Sequence, residues 1–294
     1  MPNSHQHTLA GPTIFAGVGL HTGRRVRAAL VPAPAGAGVV FVRTDLGGRA
    51  IPALAGHVVN TRLNTVLGDG AGATVSTVEH LMAALAALQV DNVVVELDGP
   101  EVPIMDGSAR DFVQLIEHVG RRRQEAGRQH LEVLAPVEIV DGDKRVRLSP
   151  ARRFELAFEI DFDSPVIGRQ RIDLKLDEAA FRAELADART FGFLHEVEAL
   201  RAAGLALGGS LDNAVVVDGE GVLNPEGLRW PDEFVRHKAL DALGDLYLIG
   251  HPLIGRFEGV CAGHALNNAL VRAVLDRPDA WRFVTPAASR TAPA

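Results

Sequence analysis

Twice along this chain, short β-rich runs come first and helical patterns follow, and that order limits the fold more than any single motif does. Residues 24–67 hold runs such as RVRAALV and GVVFVRT, split by Pro and Gly clusters such as PAPAGAG, which read as strands and turns. A helical pattern over 76–88, a strand over 92–97 and a helix over 110–120 come next, the last with Phe112, Leu115, Ile116 and Val119 on one face. The second half repeats the order with LEVLAPVEIV, KRVRLSP and RFELAFEIDF, a short helix from Asp177 and a long one over 232–248. Strands grouped ahead of helices predict α+β domains with antiparallel sheets rather than a doubly wound fold. RRRQEAGRQH is the most charged and least apolar stretch, so the boundary is expected within 121–130, giving domains of 1–125 and 126–294. DNVVVELDG at 91–99 and DNAVVVDGEG at 212–221 form a faint internal echo.

Composition narrows the chemistry. At 294 residues, 47% apolar and 23% charged, the chain has the material for one large core or two ordinary ones and is not disordered. Thirty Lys and Arg against 37 Asp and Glu leave a net charge of -7, so no overall basic field points to nucleic acid. No apolar run approaches the roughly 18 residues of a membrane span, and the N-terminus lacks a secretory pattern. A soluble cytoplasmic protein is expected. One cysteine against eleven histidines excludes disulfide frameworks, thiolate zinc modules and iron–sulfur clusters. A bound metal would need histidine and carboxylate ligands.

Four constellations carry possible chemistry. In EFVRHKALDALGD, His237, Asp241 and Asp245 are spaced by four, so they form one polar stripe on a helix, with Val235, Ala239, Ala242 and Leu246 opposite. The stripe reads either as a metal-binding wall or as a solvated face on which Lys238 pairs with a carboxylate. In STVEHLMAALAAL, Glu79 and His80 lead an apolar helix. Ser76 and Glu79 fit a capping box, which leaves His80 without an explanation. In GHALNN, His264 reads as a core residue or as a catalytic one. Across 188–213, an apolar run broken by Gly208-Gly209 reads as core or as a slot for an apolar ligand.

Together the blocks GVGLHTG, PAP, TVEH, PEVPIMDGSA, ARTFGF, LGGSLDN, EFVRHKALDALGDL and GHALNN stand in an order that closely resembles the UDP-3-O-acyl-N-acetylglucosamine deacetylases, over roughly residues 13–285. The resemblance implies a zinc ion held by His80, His237 and Asp241, with Glu79 as general base. It further implies Thr190 as a donor to the oxyanion, and His264, oriented by Asp245, as acid or oxyanion stabiliser. Lys238, Phe191 and Phe162 correspond to substrate contacts. Gly209 corresponds to the place where a β-α-β insert, at about 192–217, limits a tunnel for the 3-O-acyl chain. The implied fold has two similar α+β domains with helices between their sheets, and it accounts for the echo as two related halves. The implied reaction removes acetate from UDP-3-O-acyl-N-acetylglucosamine in lipid A biosynthesis, by a monomer. The segment 61–75 departs from some relatives, offering Leu63 and Asn64 where they place Cys or Met. A silent ligand-binding protein on the same scaffold would have no use for Glu79 beside a complete ligand set.

Overall fold

The structure, a computed structural model, describes residues 4–285. Strands β1 (Thr13–Val18), β2 (Arg25–Pro32), β3 (Val39–Arg43) and β4 (Arg49–Pro52) precede helix α1 (Glu79–Ala87), strand β5 (Val93–Leu97) and helix α2 (Arg110–Val119). The five strands form one sheet in the order β1-β2-β5-β3-β4, antiparallel except for the β5–β3 pair. The second half holds β6 (Val137–Asp141), β7 (Lys144–Ser149), β8 (Phe154–Asp161), β9 (Arg169–Lys175) and α3 (Glu178–Glu184). An inserted unit follows, with β10 (Phe191–Phe193), α4 (Leu194–Ala202) and β11 (Val215–Asp218), and then come α5 (Glu233–Tyr247), β12 (Leu253–Val260) and α6 (His264–Leu275).

Strands β6 to β9 and β12 associate in the order β6-β7-β12-β8-β9, again with one parallel pair, β12–β8. The two halves therefore share strand order, strand direction and the placement of two helices around the last strand. This is the α+β fold of two similar domains that the sequence led us to expect. The faint echo, however, is misaligned. Val93–Leu97 is the centre of the first sheet, and its counterpart by position is β12, whereas Val215–Asp218 lies in the insert, parallel to Phe191–Phe193. Asp-Asn ahead of a valine run is ordinary turn-then-strand chemistry, so its recurrence does not track the repeat.

Local alternation explains the sheets. In β2, Val26, Ala28 and Leu30 point inward, and β12 alternates buried and half-buried residues along its whole length. Helix α2 buries Phe112, Val113 and Ile116 and turns Gln114, Glu117 and His118 outward. Helices α1 and α5 differ: α1 is apolar nearly all round, and α5 buries 13 of its 15 residues. A helix buried on every side needs partners on every side, and α1 and α5 pack on each other while α5 also packs on β8 and β9. Gly244 of α5 permits that approach, because a Cβ there would lie 2.0 Å from the Glu79 carbonyl oxygen.

Two local features bear on the sequence expectations, the second as a correction. RRRQEAGRQH supplies a strand, Arg121–Gly127, paired antiparallel with His5–Leu9. The charges of the strand itself, Arg121, Arg122, Arg123 and Glu125, sit on exposed positions while its backbone is satisfied by the partner strand, and Arg128 just beyond it is buried. Ser76 does not cap α1: its hydroxyl donates to the Pro100 carbonyl, and the helix begins three residues later, after Thr77 in the left-handed region at φ 57°. Glu79 is thereby free of a capping role.

Candidate active site

Three helix starts and one strand converge on a cavity of about 430 Å³. The first turn of α1 brings Glu79 and His80, the exposed-looking stripe of α5 brings His237, Lys238 and Asp241, and the first residue of α6 brings His264. Thr190 and Phe191 enter beside them, and Phe162 closes the aromatic side. The stripe on α5 is buried, not solvated: His237, Asp241 and Asp245 are all under 5% exposed. The alternative in which Lys238 pairs with a carboxylate holds at the same time, since its Nζ lies 2.8 Å from Asp241 Oδ2.

The other Asp241 oxygen is what makes the site unusual. His80 Nε2 and His237 Nε2 each lie 3.3 Å from Oδ1, which is buried and has no hydrogen-bond donor. The two imidazoles stand edge to face at 4.9 Å between ring centroids. His237 Nδ1 donates to the Ala188 carbonyl at 3.0 Å, which fixes the tautomer and leaves the Nε2 lone pair facing Asp241. Burial, partly opposed by Asp241, pushes the His237 pKa down to about 3, so the ring is neutral. Burial works against the charged form of Asp241, but the Lys238 ammonium bonded to it helps hold the acid well below the usual carboxylate range. Two imidazole nitrogens and one carboxylate oxygen that converge in this way suit a divalent ion with an open position, and these three residues group within 4.8 Å.

Beside that trio lies an acid–base pair. Glu79 Oε1 is 3.8 Å from His264 Nε2, and His264 Nδ1 donates to Asp245 Oδ2 at 2.8 Å. Burial raises the Glu79 pKa above the ordinary carboxylate value, with His264 and His80 pulling the other way. Burial alone would lower His264, yet Asp245 and Glu79 outweigh it and carry its pKa up to about 9. A carboxylate inclined to take a proton thus faces an imidazolium inclined to keep one.

Residues 6–276 match the family described as UDP-3-O-acyl N-acetylglycosamine deacetylase. The chain belongs to this family. A UDP-3-O-acyl-N-acetylglucosamine deacetylase of Phenylobacterium zucineum is 65% identical over 282 residues, covering 95% of this chain and 96% of the relative. Those of Acidithiobacillus ferrooxidans and Myxococcus xanthus are each 54% identical, over 97% and 96% of this chain and 94% and 90% of the relatives.

Placement is uneven across the family positions expected from the sequence. Phe191 packs edge to face on Phe234 at 4.9 Å and on His237 at 6.2 Å, and Phe162 meets both Phe191 and Phe193. Gly209 stays outside the cavity lining, with Ala206 and Leu20 beside it at ordinary contact distance; its neighbour Gly208 is the crowded one, 2.3 Å from the Gly19 carbonyl where a Cβ would stand. The Thr190 backbone is fixed from both sides, donating to Gly107 O and accepting from Val215 N–H, each at 2.8 Å.

Sequence reasoning missed three residues. Thr65 donates its backbone N–H to Glu79 Oε2 at 3.1 Å and its hydroxyl to Asp245 Oδ1 at 2.6 Å, bridging the acid–base pair. Asn267 adds a donor to Asp245 at 2.9 Å. Glu101 is fully buried and accepts from His21 N, Thr22 N, Thr22 Oγ1 and Thr77 Oγ1, tying the GLHTG turn to the segment before α1. Glu101 left a trace in the sequence, as a carboxylate inside the otherwise apolar PEVPIM, and Asn267 stands in the GHALNN block, whereas Thr65 left none.

Proposed function

We propose that the protein is a zinc-dependent hydrolase that removes the N-acetyl group of UDP-3-O-(3-hydroxyacyl)-N-acetylglucosamine. The products are acetate and the free amine, at the committed step of lipid A biosynthesis. The single observation that carries this reading is Asp241 Oδ1, buried, undonated and equidistant from two imidazole nitrogens beside the Glu79–His264 pair, in a chain of this family.

His80, His237 and Asp241 would hold the ion. Zinc bound there supplies positive charge that polarises the amide carbonyl and lowers the pKa of water. Glu79, desolvated and steadied by the Thr65 amide, accepts a proton from the attacking water. The Thr190 hydroxyl donates to the oxyanion that develops. His264, cationic at neutral pH and held by Asp245, gives its proton to the departing amine. Lys238 and the aromatic group Phe162, Phe191 and Phe193 orient the sugar nucleotide. The insert at about 192–217 takes the acyl chain, with Gly209 where the width of its tunnel would be limited.

We read the chain as domains 1–125 and 126–294, acting as a cytoplasmic monomer. Among the described residues no helix is long and apolar enough to cross a membrane. Incubation of zinc-loaded protein with UDP-3-O-(3-hydroxymyristoyl)-N-acetylglucosamine should release one acetate per substrate consumed. Consumption without acetate, or none at all, contradicts the assignment.

A further inference from the structure

A second cavity, of about 490 Å³, lies at the opposite ends of the same two central helices. Where α1 and α5 give Glu79 and His237 to the first cavity, they give Ala86, Leu243 and Leu246 to this one, roughly two turns further along. None of its lining belongs to the proposed catalytic set. Its apolar floor of leucine and alanine, with Phe154 alongside, is ringed by cations.

Those cations have few partners. Arg152, Arg153 and Lys175 are exposed at the mouth, and among the described residues none of the three has a carboxylate within ion-pair distance. Arg128 lines the interior with its side chain 5% exposed; its Nε donates to Asp91 at 2.6 Å, while its Nη2 is buried and has no hydrogen-bond acceptor. Of the carboxylates at the rim, Glu178 is engaged by Arg121 and Arg182, and Asp177 caps α3 through the Ala180 N–H. Three unpaired cations around the mouth of a half-open, mainly apolar cavity raise the positive potential there, although the chain as a whole carries -7. A buried guanidinium nitrogen without an acceptor is a cost that an incoming oxyanion would relieve.

We propose that this cavity is a second binding site, for an organic anion whose carboxylate or phosphate meets Arg128, Arg152 and Arg153 while its apolar arm lies on Leu243, Leu246 and Phe154. The site is separate from the deacetylation reading and stands without it.

Calorimetric titration of zinc-loaded full-length protein with decyl phosphate and with decanoate tests this. At least one of the two should bind, and the tighter identifies the head group. In the double variant Arg152→Glu/Arg153→Glu, affinity should fall at least tenfold while acetate release is unchanged; both residues are exposed, so folding is preserved. Arg128→Gln should weaken binding as well, with circular dichroism checking its fold. Inorganic phosphate and neutral decyl glucoside should each bind at least tenfold more weakly than the favoured probe. Binding that survives the double variant, or that is lost in Lys238→Ala, would place the ligand in the other cavity and overturn the proposal. Absence of binding by both probes would overturn it too.

Discussion

At the scale of single residues, the protonation states of Glu79 and His264 define the proposed chemistry. Because Asp245 and Glu79 raise the His264 pKa to about 9, its proton is retained through neutral pH and lost above it. Activity that needs this proton should fall along an alkaline limb near pH 9 in kcat/KM. In Asp245→Asn the supporting charge is gone, so the limb should move to lower pH; an unmoved limb would assign it to another group. Thr65→Val keeps the backbone donor to Glu79 and removes the hydroxyl from Asp245. We expect kcat to drop by roughly tenfold, about the value of one buried hydrogen bond to a charged group, with recovery in Thr65→Ser. Equal activity in Thr65→Val would make the hydroxyl structural only. Glu79, His80 and the His237, Asp241 and Asp245 stripe were legible as candidates because ionisable groups in helical patterns stand out, while the roles proposed for them rest on the family resemblance. Thr65 was not, since a backbone amide and a threonine in a loop carry no periodic signature.

At the scale of elements, the approach of α1 to α5 sets the distance between Glu79, His80 and their partners on α5. Gly244 sits at that crossing, and since a Cβ there would stand 2.0 Å from the Glu79 carbonyl oxygen, Gly244→Ala must drive α1 away. Overpacking of this kind costs about 1–3 kcal/mol, and here the displaced segment carries the proposed base and one proposed metal ligand. A lower melting temperature together with weaker zinc affinity is expected; a melting temperature and zinc affinity equal to wild type would show that the crossing tolerates a methyl group. Helix and strand types were readable from periodicity, as in Phe112 and Ile116 or Val26, Ala28 and Leu30. The start of α1 was not, because left-handed Thr77 and its bond to Glu101 delay the helix past the residue that pattern alone makes the cap.

At the scale of the whole molecule, two halves of like topology meet through α1 and α5, and the proposed ligands come from both. Binding of zinc to the folded state alone should add stability, on the order of 3 to 4 kcal/mol at 100 to 1,000 times Kd. Chelation should therefore lower the melting temperature by several degrees, reversibly on zinc addition, and His80→Ala should abolish the difference. The metal-free chain should also weaken in acid. His237 and His130 are pushed down to about 3 and about 4, chiefly by burial, so between pH 6.5 and those values the unfolded state binds more protons than the folded one. Stability measured by urea unfolding should fall as pH drops through that window. The repeat itself was visible only as an order of strands and helices, since the two halves share topology rather than sequence, and the one stretch that looked repeated belongs to the insert. The most direct test of the account pairs zinc content with acetate release in wild type, Glu79→Ala and His237→Ala. It predicts about one zinc per chain and turnover in wild type, retained zinc without turnover in Glu79→Ala, and loss of zinc in His237→Ala. Full turnover in Glu79→Ala, or a wild type that binds no zinc, would contradict it.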